Sequence, residues 1–122
     1  DALWKVRENA WETCIKAGYP HIEDCFADGE ALYDVLAWCD DIDQPVAAHI
    51  GMGIVHPFFD REEPTDFYEM LESIGADASG QFGYGLRKKA LVPRRVKDKV
   101  ILLKDEYDYE DIVNRGKLHD YA

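Results

Sequence analysis

The sequence predicts an α+β fold on three observations. Three segments space their apolar residues as helices do, two others alternate apolar and other residues as strands do, and glycine or proline punctuates most of the boundaries between them. The expected architecture is three main helices, 2–18, 29–41 and 65–74, with a small sheet of two to four short strands of which 48–55 and 96–104 are the clearest. A length of 122 residues makes one globular domain, 1–122, the expectation.

In the first helix Val6, Ala17, Ala10, Leu3, Cys14, Trp11, Trp4 and Ile15 fill one half of the helical wheel, with Asp1 as its cap. Arg7 lies inside that apolar half, three residues after Trp4 and four before Trp11, so all three side chains are neighbours. Its stem either packs on indole while the head reaches water, or it anchors an anion in an aromatic pocket. Gly18 and Pro20 end the segment. Asp28 is placed to cap the second helix, where Ala31, Leu32, Val35, Leu36, Trp38 and Cys39 share a face. Asp40, Asp41 and Asp43 crowd its C-terminal end, against the dipole, which suits either a solvated acidic turn or a nearby cation.

Residues 48–55 alternate Ala48, Ile50, Met52, Ile54 with His49, Gly51, Gly53, Val55. Two glycines would each cost a helix about 1 kcal/mol relative to alanine, which favours a strand. Thr65 or Asp66 is placed to cap the third helix, with Phe67, Met70, Leu71 and Ile74 within one arc and Gly75 as the stop. Between Val96 and Leu103 alternation again reads as a strand, with Pro93 keeping the preceding stretch out of a sheet interior. Asp108 offers a cap for a short helix over 109–115, though a strand fits there too. The expected core is Trp4, Trp11, Leu32, Leu36, Trp38, Phe67, Leu71, Ile101 and Leu103.

Charge is the most uneven property of the chain. Residues 1–86 carry 4 Lys/Arg against 18 Asp/Glu, residues 87–104 carry 8 against 1, and residues 105–122 carry 2 against 6. The net charge of −11 disfavours non-specific binding to nucleic acid or anionic membrane. No apolar run is long enough to span a bilayer and no signal peptide is visible, so a cytoplasmic protein is expected. The first residue is Asp rather than Met, which leaves a removed leader open. Three cysteines without a CxxC pair fit a reducing compartment. Cys14 and Cys39 fall on apolar faces, and Cys25 is the expected accessible thiol, with Glu23 and Asp24 opposing its ionisation.

Motifs that carry chemistry are few. His21, Cys25, Cys39, His49 and His56 lack the spacings of known metal sites, so no metal and no cofactor is expected; on one strand His49 and His56 would point to opposite faces, and on a helix they would share one. Gly80, Gly83 and Gly85 before a basic run loosely suggest an anion loop, with Arg87, Lys88, Lys89, Arg94 and Arg95 as the binding residues and Phe82 and Tyr84 as stacking surfaces. His49 is the named acid–base candidate, but no nucleophile motif accompanies it, so an enzyme is not the expectation. Three functions remain. The first is a non-enzymatic binding or regulatory protein acting by charge complementarity with a macromolecular partner or with itself as a homodimer. The second is a small-ligand binder or enzyme with a pocket around Trp4, Arg7, Trp11, Tyr33 and Asp40. The third is phosphate or single-stranded nucleic-acid binding through residues 80–99.

Overall fold

The structure, a computed structural model, describes residues 2–79 and 83–118. The expected cap Asp1 and the loop residues Gly80 and Phe82 lie outside them. The chain divides into two compact units, Asp1–Gln81 and Phe82–Ala122. The fold is α+β, with four helices and a four-stranded antiparallel sheet among the described residues.

The N-terminal unit holds α1 (Ala2–Lys16), β1 (His21–Ile22), β2 (Cys25–Phe26), α2 (Gly29–Asp41), β3 (Val46–His49), β4 (Ile54–Phe59) and α3 (Thr65–Ile74). β4 is central. β3 pairs with it from Val46 opposite Pro57 to His49 opposite Ile54. β1 and β2 pair with it in a single register, His21 opposite Phe59 and Cys25 opposite Val55. That register sets Glu23 opposite Pro57 and Asp24 opposite His56. Glu23 donates its N–H to the Pro57 carbonyl at 3.0 Å, but Pro57 has no N–H to return, so the ladder lapses between β1 and β2.

Alternation along β4 gives the sheet two different faces. Cys25, Val55, Pro57 and Phe59 are buried on one of them. This face packs with Val35 and Cys39 of α2 and Phe67 and Leu71 of α3, all buried. Phe67 is the hub, with ring centres 5.4 Å from Phe59 and 5.7 Å from Trp38. Burying side chains of this size stabilises by about 1.5–3 kcal/mol each. The second face carries Asp24, Phe26, Ala47, His49, Ile54, His56 and Phe58. Trp11 of α1 meets Phe58 there edge-on at 5.7 Å.

α3 occupies 65–74 as its periodicity predicts, and Gly75 ends it at φ +71° while its N–H and that of Ala76 close onto Glu72 and Leu71. Elsewhere the structure departs from expectation. Residues 48–55 are not one strand: β3 stops at His49, a 3-10 turn covers Ile50–Met52, and β4 begins at Ile54. Gly53 makes this reversal possible, at φ +66° and with the Ala27 carbonyl oxygen 2.4 Å from where a Cβ would sit. The first helix ends at Lys16, and Asp28 precedes α2 without a side-chain capping bond. α1 buries none of its residues, so Trp4 and Trp11 are not core. Cys25 is fully buried rather than accessible, because it faces the α2–α3 side of the sheet.

In the C-terminal unit the expected strand 96–104 is a helix, α4 (Arg94–Tyr107), so the helices number four rather than three. Pro93 stands where a helix tolerates it, at the start. Val92, Val96, Val100 and Lys104 recur every four residues and form the less exposed side, which leaves Ile101 and Leu103 outside. Residues 109–115 form turns rather than the short helix.

Candidate functional site

Three places in the described residues concentrate chemistry. The first is on the second face of the sheet. Asp24 and His56 are a cross-strand pair of the non-hydrogen-bonded type, since the odd-numbered residues Val55, Pro57 and Phe59 turn their backbone groups toward β1 and β2. Such pairs bring side chains closest together. His56 Nδ1 lies 2.5 Å from Asp24 Oδ1, with both side chains at least nine-tenths buried. Where the carboxylate is ionised it only accepts, so the hydrogen bond runs from Nδ1–H of the ring to Asp24 Oδ1, and a neutral imidazole held this way has its lone pair on Nε2. His49 shares this face, diagonal to His56 across the hairpin, and the two ring centres are 5.4 Å apart at 89°. His49 itself is exposed. Among the described residues no group of three or more His, Cys, Asp or Glu is arranged to hold a metal.

The second is the exposed side of α1. Leu3, Trp4 and Val6 are 79%, 56% and 71% exposed, and Trp11 and Ile15 are exposed too. The Arg7 guanidinium carbon lies 5.0 Å from the Trp4 ring centre, so the cation rests over indole. Of the sequence-predicted pocket, the structure joins Trp4 to Arg7 and places Trp11 against Phe58. Tyr33 is exposed on α2. Asp40 lines a separate cleft of about 220 Å³ with Tyr19, Cys39, Asp43, Gln44 and Pro45. Burial pushes the Cys39 thiol up to about 11. A second cleft, about 260 Å³, is lined by Phe26, Asp28, Ala31, Met52, Gly53 and Asp77 among others. Trp4, Arg7, Trp11 and Tyr33 line neither cleft.

The third is the basic strip in the C-terminal unit. Arg94 and Arg95 are exposed in the first turn of α4, which contains no acid, so they add to the positive end of the dipole. Asp98 is 3.9 Å from Arg94. Arg87 is exposed, Lys89 half-buried and Lys88 buried, so the five predicted anion-binding residues do not present one surface. Lys104 is committed internally. Its ammonium donates to Asp108 and to the Val113 carbonyl and lies 2.7 Å from Asp111 Oδ1. Asp108 also accepts the N–H groups of Ile112 and Val113 at 2.9 and 3.0 Å. Burial alone would lower the Lys104 pKa, but the Asp108 and Asp111 carboxylates outweigh it and leave it raised. Hydrogen bonding from Lys104 holds Asp108 below the usual carboxylate value.

Sequence reasoning missed the Asp24–His56 pair. Its partners are 32 residues apart and meet only through strand pairing. Compared with known proteins, the chain matches no family model and no curated relative.

Proposed function

We propose that this protein is a non-enzymatic binding module that holds a basic protein partner against the exposed side of α1. One observation carries the reading: a fifteen-residue helix buries none of its residues and leaves Leu3, Trp4 and Val6 largely exposed beside Arg7, with Trp11 and Ile15 partly exposed although Trp11 also touches Phe58. Tryptophan and arginine dominate the energetics of protein interfaces. The choice of a basic partner is supported by the unit around that helix, in which residues 1–81 carry 4 Lys/Arg against 18 Asp/Glu. Such a field speeds the encounter with a cationic surface and repels an acidic one.

The test uses a synthetic amphipathic helical peptide with Leu on one face and Lys on the other. Docking moves the emission of the exposed indoles to shorter wavelength, and the affinity falls between about 50 mM and 500 mM salt as screening shortens. Trp4→Ala with Trp11→Ala abolishes binding. Affinity that is flat in salt, or unchanged in the double variant, overturns the reading. Sedimentation of the protein alone adds a further arm: a dimer that dissociates in the double variant makes a second copy the occupant and overturns the foreign partner.

A second reading is favoured by Arg94 and Arg95 at the start of α4, which suit a phosphate or a short single strand. It expects retention on immobilised oligothymidylate that is lost in Arg94→Glu/Arg95→Glu, and unchanged retention removes it.

A further inference from the structure

We propose that His49 and His56 form a two-histidine site for a borderline divalent transition-metal ion, with Zn²⁺ as the type case, and that Asp24 positions His56 for it. The proposal is independent of the α1 reading. Imidazole is a preferred ligand for such ions, and it binds through a nitrogen that carries no proton. Asp24 Oδ1 accepts a hydrogen bond from His56 Nδ1–H at 2.5 Å, an arrangement in which the neutral ring offers Nε2 as the ligand nitrogen. A carboxylate on the far nitrogen is the usual support of a metal-bound histidine, where it sets the ring plane and raises ligand basicity. His56 and Asp24 are nine-tenths buried, so the ring is held before any ion arrives.

His49 supplies the second ligand. The β3–β4 hairpin places it diagonal to His56 on the same face, a separation that long side chains bridge. The ring centres are 5.4 Å apart. Two imidazoles sharing one tetrahedral ion at the usual Zn–N length have ring centres about 5 Å apart. The perpendicular ring planes are no obstacle, because each ring can turn about its own nitrogen–metal bond. His49 is exposed, so its ring adjusts without disturbing the core. Two protein ligands leave the remaining positions to water, one protein ligand fewer than zinc sites with an open position usually have.

The experiment titrates ZnCl₂ into the chelator-stripped full chain by calorimetry and records the imidazole ¹⁵N spectrum. One ion binds per chain, both His49 and His56 ring nitrogens shift, and His56 Nδ1 stays protonated. His49→Ala weakens binding at least tenfold, and Asp24→Asn weakens it by about tenfold or more through His56 alone. Because Asp24→Asn touches a buried pair, the exposed His49→Ala variant decides the matter. Absence of saturable binding up to about 1 mM Zn²⁺, an affinity unchanged in His49→Ala, or coordination through His56 Nδ1 overturns the proposal.

Discussion

Three glycines separate two kinds of constraint, and replacing each with alanine measures them in turn. Gly51 has neither: its φ is not in the left-handed region, and no atom lies within 4 Å of an added Cβ. Gly51→Ala is therefore expected to change stability by less than about 0.5 kcal/mol. Gly75 has a positive φ of 71° but open space around it. Alanine there incurs only the left-handed penalty, about 1–2 kcal/mol. Gly53 has both. Its φ is +66°, and an added Cβ would sit 2.4 Å from the Ala27 carbonyl oxygen. Reaching ordinary contact requires the two backbones to part by about 1 Å. The opposing bond, Ala27 N–H to the Gly53 carbonyl, is 2.8 Å long and does not survive that. Ala27 is buried, so its stranded N–H costs a further 1–3 kcal/mol or so. Gly53→Ala should then cost about 3 kcal/mol, against a total stability of about 5–15 kcal/mol. In urea, with a slope of about 1.5 kcal/mol per molar, the midpoint falls by about 2 M. Equilibrium unfolding followed by tryptophan fluorescence reads all three variants. If Gly53→Ala is no worse than Gly75→Ala, the close approach to Ala27 contributes nothing and the account of this hairpin is wrong.

Phe67→Ala, at the junction of α3, Phe59 and Trp38, should cost about 3–5 kcal/mol by the same assay, with little loss if the site collapses around the gap. Burial pushes the Asp66 pKa up, but Arg61, whose Nη2 reaches both carboxylate oxygens at 2.7 and 2.6 Å, outweighs it and leaves it below the ordinary 3.8. The pair's contribution is therefore present above pH 3.8 and lost as pH falls through the depressed value. Because both side chains are about half exposed, a double-mutant cycle at neutral pH should give less than about 1 kcal/mol. Thiol labelling of the native protein should modify Cys14 alone, with Cys25 and Cys39 reacting only after unfolding, and fast labelling of Cys25 would contradict its burial.

What was legible in the sequence was local. α3 carries its periodicity and glycine stop within eleven residues, although Pro64 rather than Thr65 or Asp66 stands at its N-cap, and α2 holds its apolar face without outside help. What failed had two causes. Over 96–104 the apolar residues satisfy a period of two and also fall on a four-residue repeat from Val92 to Lys104, so periodicity alone did not choose. Helix-forming lysines and leucines, with Pro93 at a starting position, settle it for α4. Over 48–55 the alternation was real on each side of the turn, but the reversal depends on Gly53 meeting Ala27, twenty-six residues earlier. Reading those residues as one strand put His49 and His56 on opposite faces, and the hairpin puts them on the same one. The apolar half of α1 was legible as a pattern, while its lack of cover was not: a helical wheel reports that a face needs a partner without saying where the partner is.

That distinction bears on why acid and tryptophan occur together here. An exposed apolar row alone would bind many surfaces, since burial of area is indifferent to identity. On the proposed binding reading, the acidic excess of residues 1–81, acting over about 10 Å at moderate salt, would filter partners before contact. Arg7 then imposes a condition at contact. Its guanidinium rests on Trp4 in the middle of the row, and once covered it needs acceptors on the incoming surface or it costs more than the apolar contact returns. The partner proposed above would thus be basic at its rim, apolar at its centre, and hold a carbonyl or carboxylate oxygen opposite Arg7. Arg7→Lys keeps the charge and removes the planar fork, so it should weaken docking more than it changes the salt dependence. An equal loss in both would mean that Arg7 acts through charge alone.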